Sequence, residues 1–210
     1  YHPGLQQKTH PMHKSSSRSR SRSNAQAAMG EKMPQDILYF WFEELEPSQW
    51  WQKDEDLDKH ITARFADLHA RATRCELFPW RCNSRGRLAE IILLDQFSRN
   101  MFRNSPRAFA YDALALALAQ EAVSAGAEQD LSQQERNFLY MPFMHSESLQ
   151  IHKVAVGLFA RNGLQGSLDY EMKHKRIIER FGRYPHRNQV LGRKSTEAEL
   201  EFLKHPGSGF

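Results

Sequence analysis

Large apolar side chains recur three and four positions apart along most of this chain, and this spacing constrains the fold more than any other feature of the sequence. In the segment that begins at Pro34, the residues Ile37, Leu38, Trp41 and Phe42 share one helical face. No alternating apolar and polar run of useful length competes with this pattern. The spacing therefore predicts an all-α protein.

Turn and capping residues divide the helical pattern into segments. After the first helix we predict a second through Leu57, Ile61, Phe65, Leu68 and Ala72, a loop at 77–86, a third helix at 87–100, and a fourth that opens at Ser105 and Pro106 and closes at Gly126. We then predict a fifth with a capping box of Ser132 and Glu135 and an interruption at Pro142, a sixth over 145–161, a seventh over 167–182, and a last that begins at Ser195 or Thr196 with Glu199 as its box partner. Helices of about 10 to 20 residues joined by short loops are expected to pack as antiparallel pairs, bundles or solenoids.

Basic charge is concentrated at one end of the chain. The 210 residues have a formal net charge of +4 at pH 7. Residues 1–33 carry six of the 29 Lys and Arg residues and one of the 25 Asp and Glu residues, so the rest of the chain holds 23 basic and 24 acidic side chains. Residues 1–33 also lack an apolar period and include SSSRSRSRS at 15–23, which is typical of a disordered segment.

We therefore predict a disordered Ser/Arg-rich tail or leader over residues 1–33 and a single helical domain over residues 34–210. The tail is either a basic arm that contacts phosphates or is phosphorylated on serine, or an extension that lies outside the native domain. If the protein binds nucleic acid at all, we expect it to do so only through this tail, because the body is close to neutral.

The composition disfavours several classes of protein. No apolar run reaches the length of about 18 residues that a membrane span needs, and the first thirty residues lack the apolar stretch of a secretory signal. Cys75 and Cys82 lie seven positions apart and indicate neither a disulfide scaffold nor a thiolate zinc site. No phosphate loop, dinucleotide fingerprint or nucleophile elbow is present. We expect a cytoplasmic protein with no membrane contact, no cofactor and no bound metal.

Charged residues interrupt a helical face that is otherwise apolar. Leu88, Ile91 and Ile92 define the apolar face of the predicted third helix, and Asp95 and Arg99, four positions apart, continue it. A carboxylate and a guanidinium on a buried face must pair or they destabilise the fold. We predict that Asp95 and Arg99 are buried and paired.

Three segments, 91–112, 135–147 and 174–188, place Arg, His and acidic residues at helix ends, where backbone groups are free to bind ligands. We predict that these segments converge on one site. The candidate ligand-binding residues are Arg99, Arg103, Arg107, Arg183, Arg187 and Asn188. The candidates for a proton carrier or its orienting acid are His145, Glu147, His186 and Asp95.

Two interpretations of these residues stay open on sequence grounds. They can form an internal network of salt bridges and caps that ties the helices together. They can also form a pocket in which Arg side chains bind a carboxylate or phosphate while His or Glu transfers a proton. Metal binding is disfavoured, because His145 and Glu147 are two positions apart and cannot face the same way on a helix.

Five long motifs resemble those of the bacterial family called domain-of-unknown-function family 924. They are ILYFWFEE at 37–44, IILLDQFSRNMFRNSPRAFAYDALALALA at 91–119, ERNFLYMPFMHSE at 135–147, RFGRYPHRNQVLGRKST at 180–196 and FLKHPGSGF at 202–210. The resemblance covers residues 34–210 and implies an all-helical architecture similar to tetratricopeptide-like superhelices, without assigning a biochemical role. The chain departs from the family pattern at Ser98, where relatives usually have Pro, and at 149–156, where many relatives read LADQERSV.

The sequence supports two functional hypotheses. The first is a cytoplasmic helical binding module whose Arg/His-rich groove receives an anionic small molecule or a peptide carboxylate. The alternative is a hydrolase-type enzyme that uses a His/carboxylate pair on an anionic substrate. The pattern does not decide between them, and it does not indicate an oligomeric state.

Overall fold

Helices provide all the regular secondary structure in residues 31–210, the part of the chain that the computed structural model describes. No β-strand occurs in these residues, which confirms the prediction of an all-α protein. The predicted disordered tail lies outside the described residues except for its last three. Within the same part of the chain, no helix combines the length and the apolar character that are needed to cross a bilayer.

The α-helices follow the predicted order along the chain, with an additional short helix at Asn188–Leu191 that was not predicted. They are α1 (Pro34–Tyr39), α2 (Glu55–Thr73), α3 (Ser84–Ile92), α4 (Ser98–Met101), α5 (Asp112–Ser124), α6 (Gln133–Met144), α7 (Leu149–Asn162), α8 (Gln165–Phe181), α9 (Asn188–Leu191) and α10 (Glu197–Leu203). Short 3₁₀ turns lie at Pro47–Trp50, Phe78–Cys82, Pro106–Ala108, Ala127–Asp130 and Pro185–Arg187. Pro34–Phe210 form one compact unit. The tetratricopeptide-like arrangement of these helices stays a prediction.

Two π-helical turns continue α-helices without a break. Phe40–Glu44 extend α1, and Leu93–Phe97 join α3 directly to α4. A π turn adds one residue to the helical repeat and so rotates the following side chains relative to an ideal helix. All five residues of the second turn are buried, including Asp95.

Side-chain capping explains where several helices begin. The predicted loop at 77–86 is wrong in its last residues, because the Asn83 side chain accepts a hydrogen bond from the Gly86 amide at 2.8 Å and starts α3 at Ser84. The prediction that Ser105 opens the fourth long helix is also wrong. Its hydroxyl caps only a 3₁₀ turn, and α5 begins at Asp112.

Capping boxes and packing decide two further boundaries. The boxes predicted from Ser132 with Glu135 and from Ser195 or Thr196 with Glu199 are both confirmed, and Thr196 is the cap of the second. The interruption predicted at Pro142 is wrong, because α6 continues through it to Met144. Every residue of this helix from 137 to 144 is buried, and the packing of these last two turns offsets the backbone hydrogen bond that proline removes.

Aromatic side chains form the centre of the main core. Trp41 contacts Phe138 edge to face at a centroid distance of 5.5 Å, and Phe65 lies 5.2 Å from both Phe40 and Phe97. Because Phe97 belongs to the second π turn, this packing fixes the end of α3 against α1 and α2.

Tyr184 anchors a smaller core at the other end of the fold. It is fully buried and packs with Ile177 and Ile178 of α8. Its hydroxyl donates a hydrogen bond to the Met144 carbonyl at 2.6 Å. This bond attaches the turn after α8 to the end of α6, and it brings the 174–188 segment beside the 135–147 segment.

Candidate functional site

Asp95 and His145 form a buried pair between the second π turn and the end of α6. Asp95 is 1% exposed, and its Oδ1 lies 2.7 Å from Nδ1 of His145. The Gln96 amide donates to Oδ2 at 2.9 Å. Burial disfavours the charged carboxylate, but His145, Arg99 and Gln96 stabilise it, so that the pKa of Asp95 lies below its usual value.

Arg99 takes its main partner from a different helix than predicted. Its two terminal nitrogens bind both carboxylate oxygens of Asp112, at 2.9 and 3.0 Å. The contact with the Asp95 carboxylate is longer, 3.4 Å, and is supported by a 3.0 Å bond to the Asp95 carbonyl. The predicted Asp95–Arg99 pair therefore exists, but each member has a shorter contact elsewhere, Asp95 with His145 and Arg99 with Asp112.

Arg187 brings the 174–188 segment into the same cluster. It is 5% exposed, and Nη2 donates to the His145 carbonyl at 2.9 Å. Its Nη1 lies 3.6 Å from the Asp112 carboxylate that Arg99 already binds. The guanidinium packs over the rings of Phe109 and Tyr184, with Cζ 4.5 and 4.7 Å from their centroids. Its Nε is buried and has no hydrogen-bond partner in residues 31–210.

His186 lies next to Arg187 and is also unsatisfied. Its Nδ1 is buried without a hydrogen-bond partner in the described chain. Burial, followed by the charges of Arg187 and Arg99, lowers the pKa of His186 to about 3. Burial and then Arg99 also hold the pKa of His145 below its usual value. Both imidazoles are therefore neutral at pH 7.

The neutral state of His145 determines where its proton lies. An ionised carboxylate only accepts hydrogen bonds, so Nδ1 of His145 carries the hydrogen that Asp95 accepts. Nε2 then has a free lone pair, and no described residue is hydrogen-bonded to it. This is the arrangement of an oriented, unprotonated imidazole.

The structure places several other candidates in ion pairs that join helices. Arg103 binds the Asp58 carboxylate of α2 at 2.7 and 3.0 Å. Arg183 binds Glu199 of α10 at 2.9 and 2.7 Å, and Asn188 donates to Glu199 at 3.1 Å. These contacts have the form of the predicted internal network.

Glu147 and Arg107 lie beside the cluster rather than in it. Glu147 is bound at both carboxylate oxygens by Arg193, each at 2.9 Å, and accepts a hydrogen bond from the Tyr184 amide at 2.8 Å. Arg107 is exposed, and its guanidinium stacks 3.9 Å from the centroid of the Phe102 ring. The three predicted segments thus meet through Asp95, Arg99, Asp112, His145 and Arg187.

A second buried pair was missed by sequence reasoning. His152 and Glu171 are both fully buried, with His152 Nδ1 2.8 Å from Glu171 Oε2. The other ring nitrogen of His152 lies 2.6 Å from the Ser146 carbonyl and 3.0 Å from the Tyr184 hydroxyl. A signal was present, because His152 shares the apolar face of α7 with Ala155. Asp95 was identified as a polar residue on an apolar helical face, and the same argument could have identified His152.

Two further features lie outside this cluster. No group of three or more His, Cys, Asp or Glu residues in the described chain is arranged to hold a metal ion. An open depression of about 290 Å³ lies between the end of α1 and the start of α2, and none of the predicted site residues lines it. Its lining includes Phe40, Glu44, Asp54, Asp56 and His60.

The fold and the cluster together define an all-helical protein in which a buried network of ions joins helices that are distant in sequence. The chain belongs to the family of bacterial proteins of unknown function DUF924, whose model matches residues 37–207. This membership confirms the resemblance seen in the five motifs. The solved structure of a protein of unknown function from Agrobacterium tumefaciens is similar, with 39% identity and a TM-score of 0.78. The match covers 85% of this chain and 98% of that one. A comparison with curated proteins gives no match.

Proposed function

We propose that this protein is a helical binding module that receives a carboxylate, from an anionic small molecule or from a peptide, at a site formed by His186 and Arg187. The observation that carries this proposal is the pair of buried, unpartnered nitrogens on adjacent residues, Nδ1 of His186 and Nε of Arg187. A buried polar group without a partner costs about 1–3 kcal/mol. A ligand oxygen that accepts from Arg187 recovers this free energy.

The charges of the cluster favour a singly charged ligand. Arg187 shares its ionic partner with Arg99, because the Asp112 carboxylate lies 3.6 Å from Nη1 of Arg187 but only 2.9 Å from Nη1 of Arg99. A planar guanidinium is suited to a planar carboxylate. Asp95, Asp112 and Glu147 lie in or beside the same cluster and would repel a ligand with several negative charges. A monocarboxylate is therefore the best match.

The cysteines support a cytoplasmic location for such a module. Cys75 and Cys82 are both exposed and unpaired. Free exposed thiols persist in reducing compartments and are oxidised elsewhere. We therefore propose that the protein is cytoplasmic.

Thermal unfolding in the presence of small carboxylates tests the binding proposal. A ligand at a hundred times its dissociation constant adds about 2.7 kcal/mol to the free energy of unfolding. We expect this stabilisation in the wild type and in Arg183→Lys, whose side chain pairs with Glu199 outside the site. We expect it to be lost in Arg187→Lys, which keeps the charge but lacks the Nε donor. Circular dichroism verifies that each variant is folded. Equal stabilisation of Arg187→Lys would contradict the proposal.

One observation favours a second candidate function, a hydrolase-type enzyme. The 2.7 Å contact between Asp95 and the neutral His145 fixes the imidazole and leaves Nε2 able to accept a proton, as a general base requires. Arg187 would stabilise the negative charge that develops on an attacked ester or amide oxygen. Assays with a panel of anionic esters test this function. If it is correct, Asp95→Asn lowers kcat by about 10²-fold or more, the scale of general-base catalysis, with little change in KM.

A further inference from the structure

Phe210 lies on an aromatic surface beside the proposed carboxylate site. Its ring centroid is 3.7 Å from that of His174, 4.7 Å from that of His186 and 5.4 Å from that of Tyr184. Gly209 brings the backbone close to the same surface, since a Cβ atom at this position would lie 3.6 Å from Cβ of His186. The end of the 205–210 segment therefore covers these three rings.

The surface beneath Phe210 consists of rings that pack against one another. Tyr184 is fully buried, and His174 is 3% exposed. The ring of Tyr184 meets those of His174 and His186 at centroid distances of 5.6 and 5.8 Å. Both imidazoles are neutral, because burial lowers the pKa of each to about 3. They can therefore pack against an aromatic ring without losing the hydration of a charge.

Phe210 is held on this surface by few contacts. The residue is 49% exposed, although His174 and Tyr184 beneath it are buried. The hydrogen bonds of the 205–210 segment run back to α10, from the His205 amide to the Phe202 carbonyl and from Ser208 Oγ to the Leu203 carbonyl. Among the described residues, no hydrogen bond ties Phe210 to the three rings. Ring packing alone seats it there.

Tyr184 connects this surface to the unpartnered donor of Arg187. The Tyr184 ring centroid lies 4.7 Å from Cζ of Arg187 and 5.4 Å from the ring of Phe210. His186 likewise contacts Phe210 and adjoins Arg187 in the chain. The aromatic surface under Phe210 therefore adjoins the proposed carboxylate site at Tyr184 and His186.

We infer that the surface formed by His174, Tyr184 and His186 is the ring subsite of the same ligand site, that the ligand class is an aromatic carboxylate, and that Phe210 fills this subsite until the ligand displaces it. This inference rests on the proposed function for the carboxylate half of the site. The shared chemistry is a phenyl ring close to one carboxylate, as in a free aromatic acid or at the end of a peptide.

Titrations with two acids that differ only in the ring test the inference. NMR titration of the full chain with 3-phenylpropionate and with propionate gives apparent dissociation constants for the wild type and for Phe210→Ala. If Phe210 occupies the subsite for nine-tenths of the time, its removal lowers the apparent dissociation constant of 3-phenylpropionate about tenfold. Propionate, which has no ring, should bind the two proteins equally.

Two controls complete the experiment. Phe78→Ala removes another exposed phenyl ring, 64% exposed and distant in sequence, and should leave both constants unchanged. N-acetylglycylphenylalanine offers the same ring and carboxylate on a peptide. If the peptide binds more tightly than 3-phenylpropionate, the source of the ligand is a peptide end. If the peptide binds more weakly, the source is a free aromatic acid. Both results support the inference.

The possible failures are distinguishable. If propionate and 3-phenylpropionate bind equally and Phe210→Ala changes neither constant, the ring subsite is wrong and the carboxylate site stands. If Phe210→Ala strengthens both acids alike, Phe210 is a general cover and the aromatic ligand class is wrong. If neither acid binds any of the proteins, the proposed function fails, and the inference fails with it.

Discussion

Nδ1 of His145 lies 2.7 Å from Oδ1 of Asp95, across 50 positions of the sequence. The contact joins the second π turn to the end of α6, and Arg187 binds the carbonyl of the same histidine. Since Asp95 is almost fully buried, water cannot replace its partners. The stability of the fold and the proposed chemistry therefore depend on the same few atoms.

Asp95→Ala should lower the free energy of unfolding by about 3–5 kcal/mol. The substitution leaves His145 and Gln96 without an acceptor and removes the carboxylate that Arg99 contacts at 3.4 Å. Removing one member of a buried ionic pair costs about 3–5 kcal/mol. Urea denaturation measures the change. Glu121→Ala, an exposed acid on α5, is the control and should stay within about 0.5 kcal/mol of the wild type. A loss below about 0.5 kcal/mol for Asp95→Ala would mean that this carboxylate is solvated.

The protein should lose stability as the pH falls below about 6.5. Burial lowers the pKa of His174 to about 3, so the folded protein keeps this imidazole neutral while the unfolded chain protonates it near its ordinary value. The unfolded state then binds more protons, and acid favours it. His174→Phe should reduce the slope of the unfolding free energy between pH 6 and 4 by up to about 1.4 kcal/mol per pH unit.

Urea denaturation at a series of pH values measures this slope. His60→Phe removes an exposed histidine of α2 and controls for the loss of an imidazole as such. An unchanged slope in His174→Phe would show that His174 does not resist protonation in the folded protein.

Two glycine substitutions should have opposite effects. A Cβ at Gly86 would lie 1.9 Å from the Trp80 carbonyl oxygen, a backbone atom that can move only if the Phe78–Cys82 turn shifts. Gly86→Ala should therefore destabilise the protein by about 3 kcal/mol or more. Gly157 is exposed within α7, and a Cβ at this position would have no neighbouring atom within 4 Å, so Gly157→Ala should stabilise by about 0.5–1 kcal/mol. Thermal unfolding compares the two variants. Similar effects of both substitutions would contradict the packing of α3 against the Phe78–Cys82 turn.

Removal of residues 1–32 should leave the melting temperature unchanged, because the segment has no apolar period with which to pack. Any retention on DNA or RNA should disappear with the segment, since the remaining chain is close to neutral. Binding measured over a range of salt concentrations tests this. A shortened chain that still binds with a steep salt dependence would place the basic surface in the helical body.

Local patterns account for the parts of the structure that the sequence predicted. The spacing of Leu88, Ile91 and Ile92 placed Asp95 on a buried face, and Asp95 is indeed buried. The boxes at Ser132 and Thr196 were predictable because a cap and its partner are only three positions apart. The failure at Pro142 has the opposite cause, since the packing of distant helices overrides a local preference there.

The sequence by itself determined the helical class, the main helices and the need of Asp95 for a partner, because each depends on interactions within about one turn of helix. Only the tertiary structure decided which partner that is. It paired Asp95 with His145, bound Arg99 to Asp112 and seated Phe210 on His174. Other polar residues could have paired with Asp95 or Arg99, and other rings could have packed against Phe210, in a different arrangement of the helices, and contacts of this kind act over only a few ångströms. The choice among them therefore follows from how the helices pack, which the order of the residues along the chain does not display.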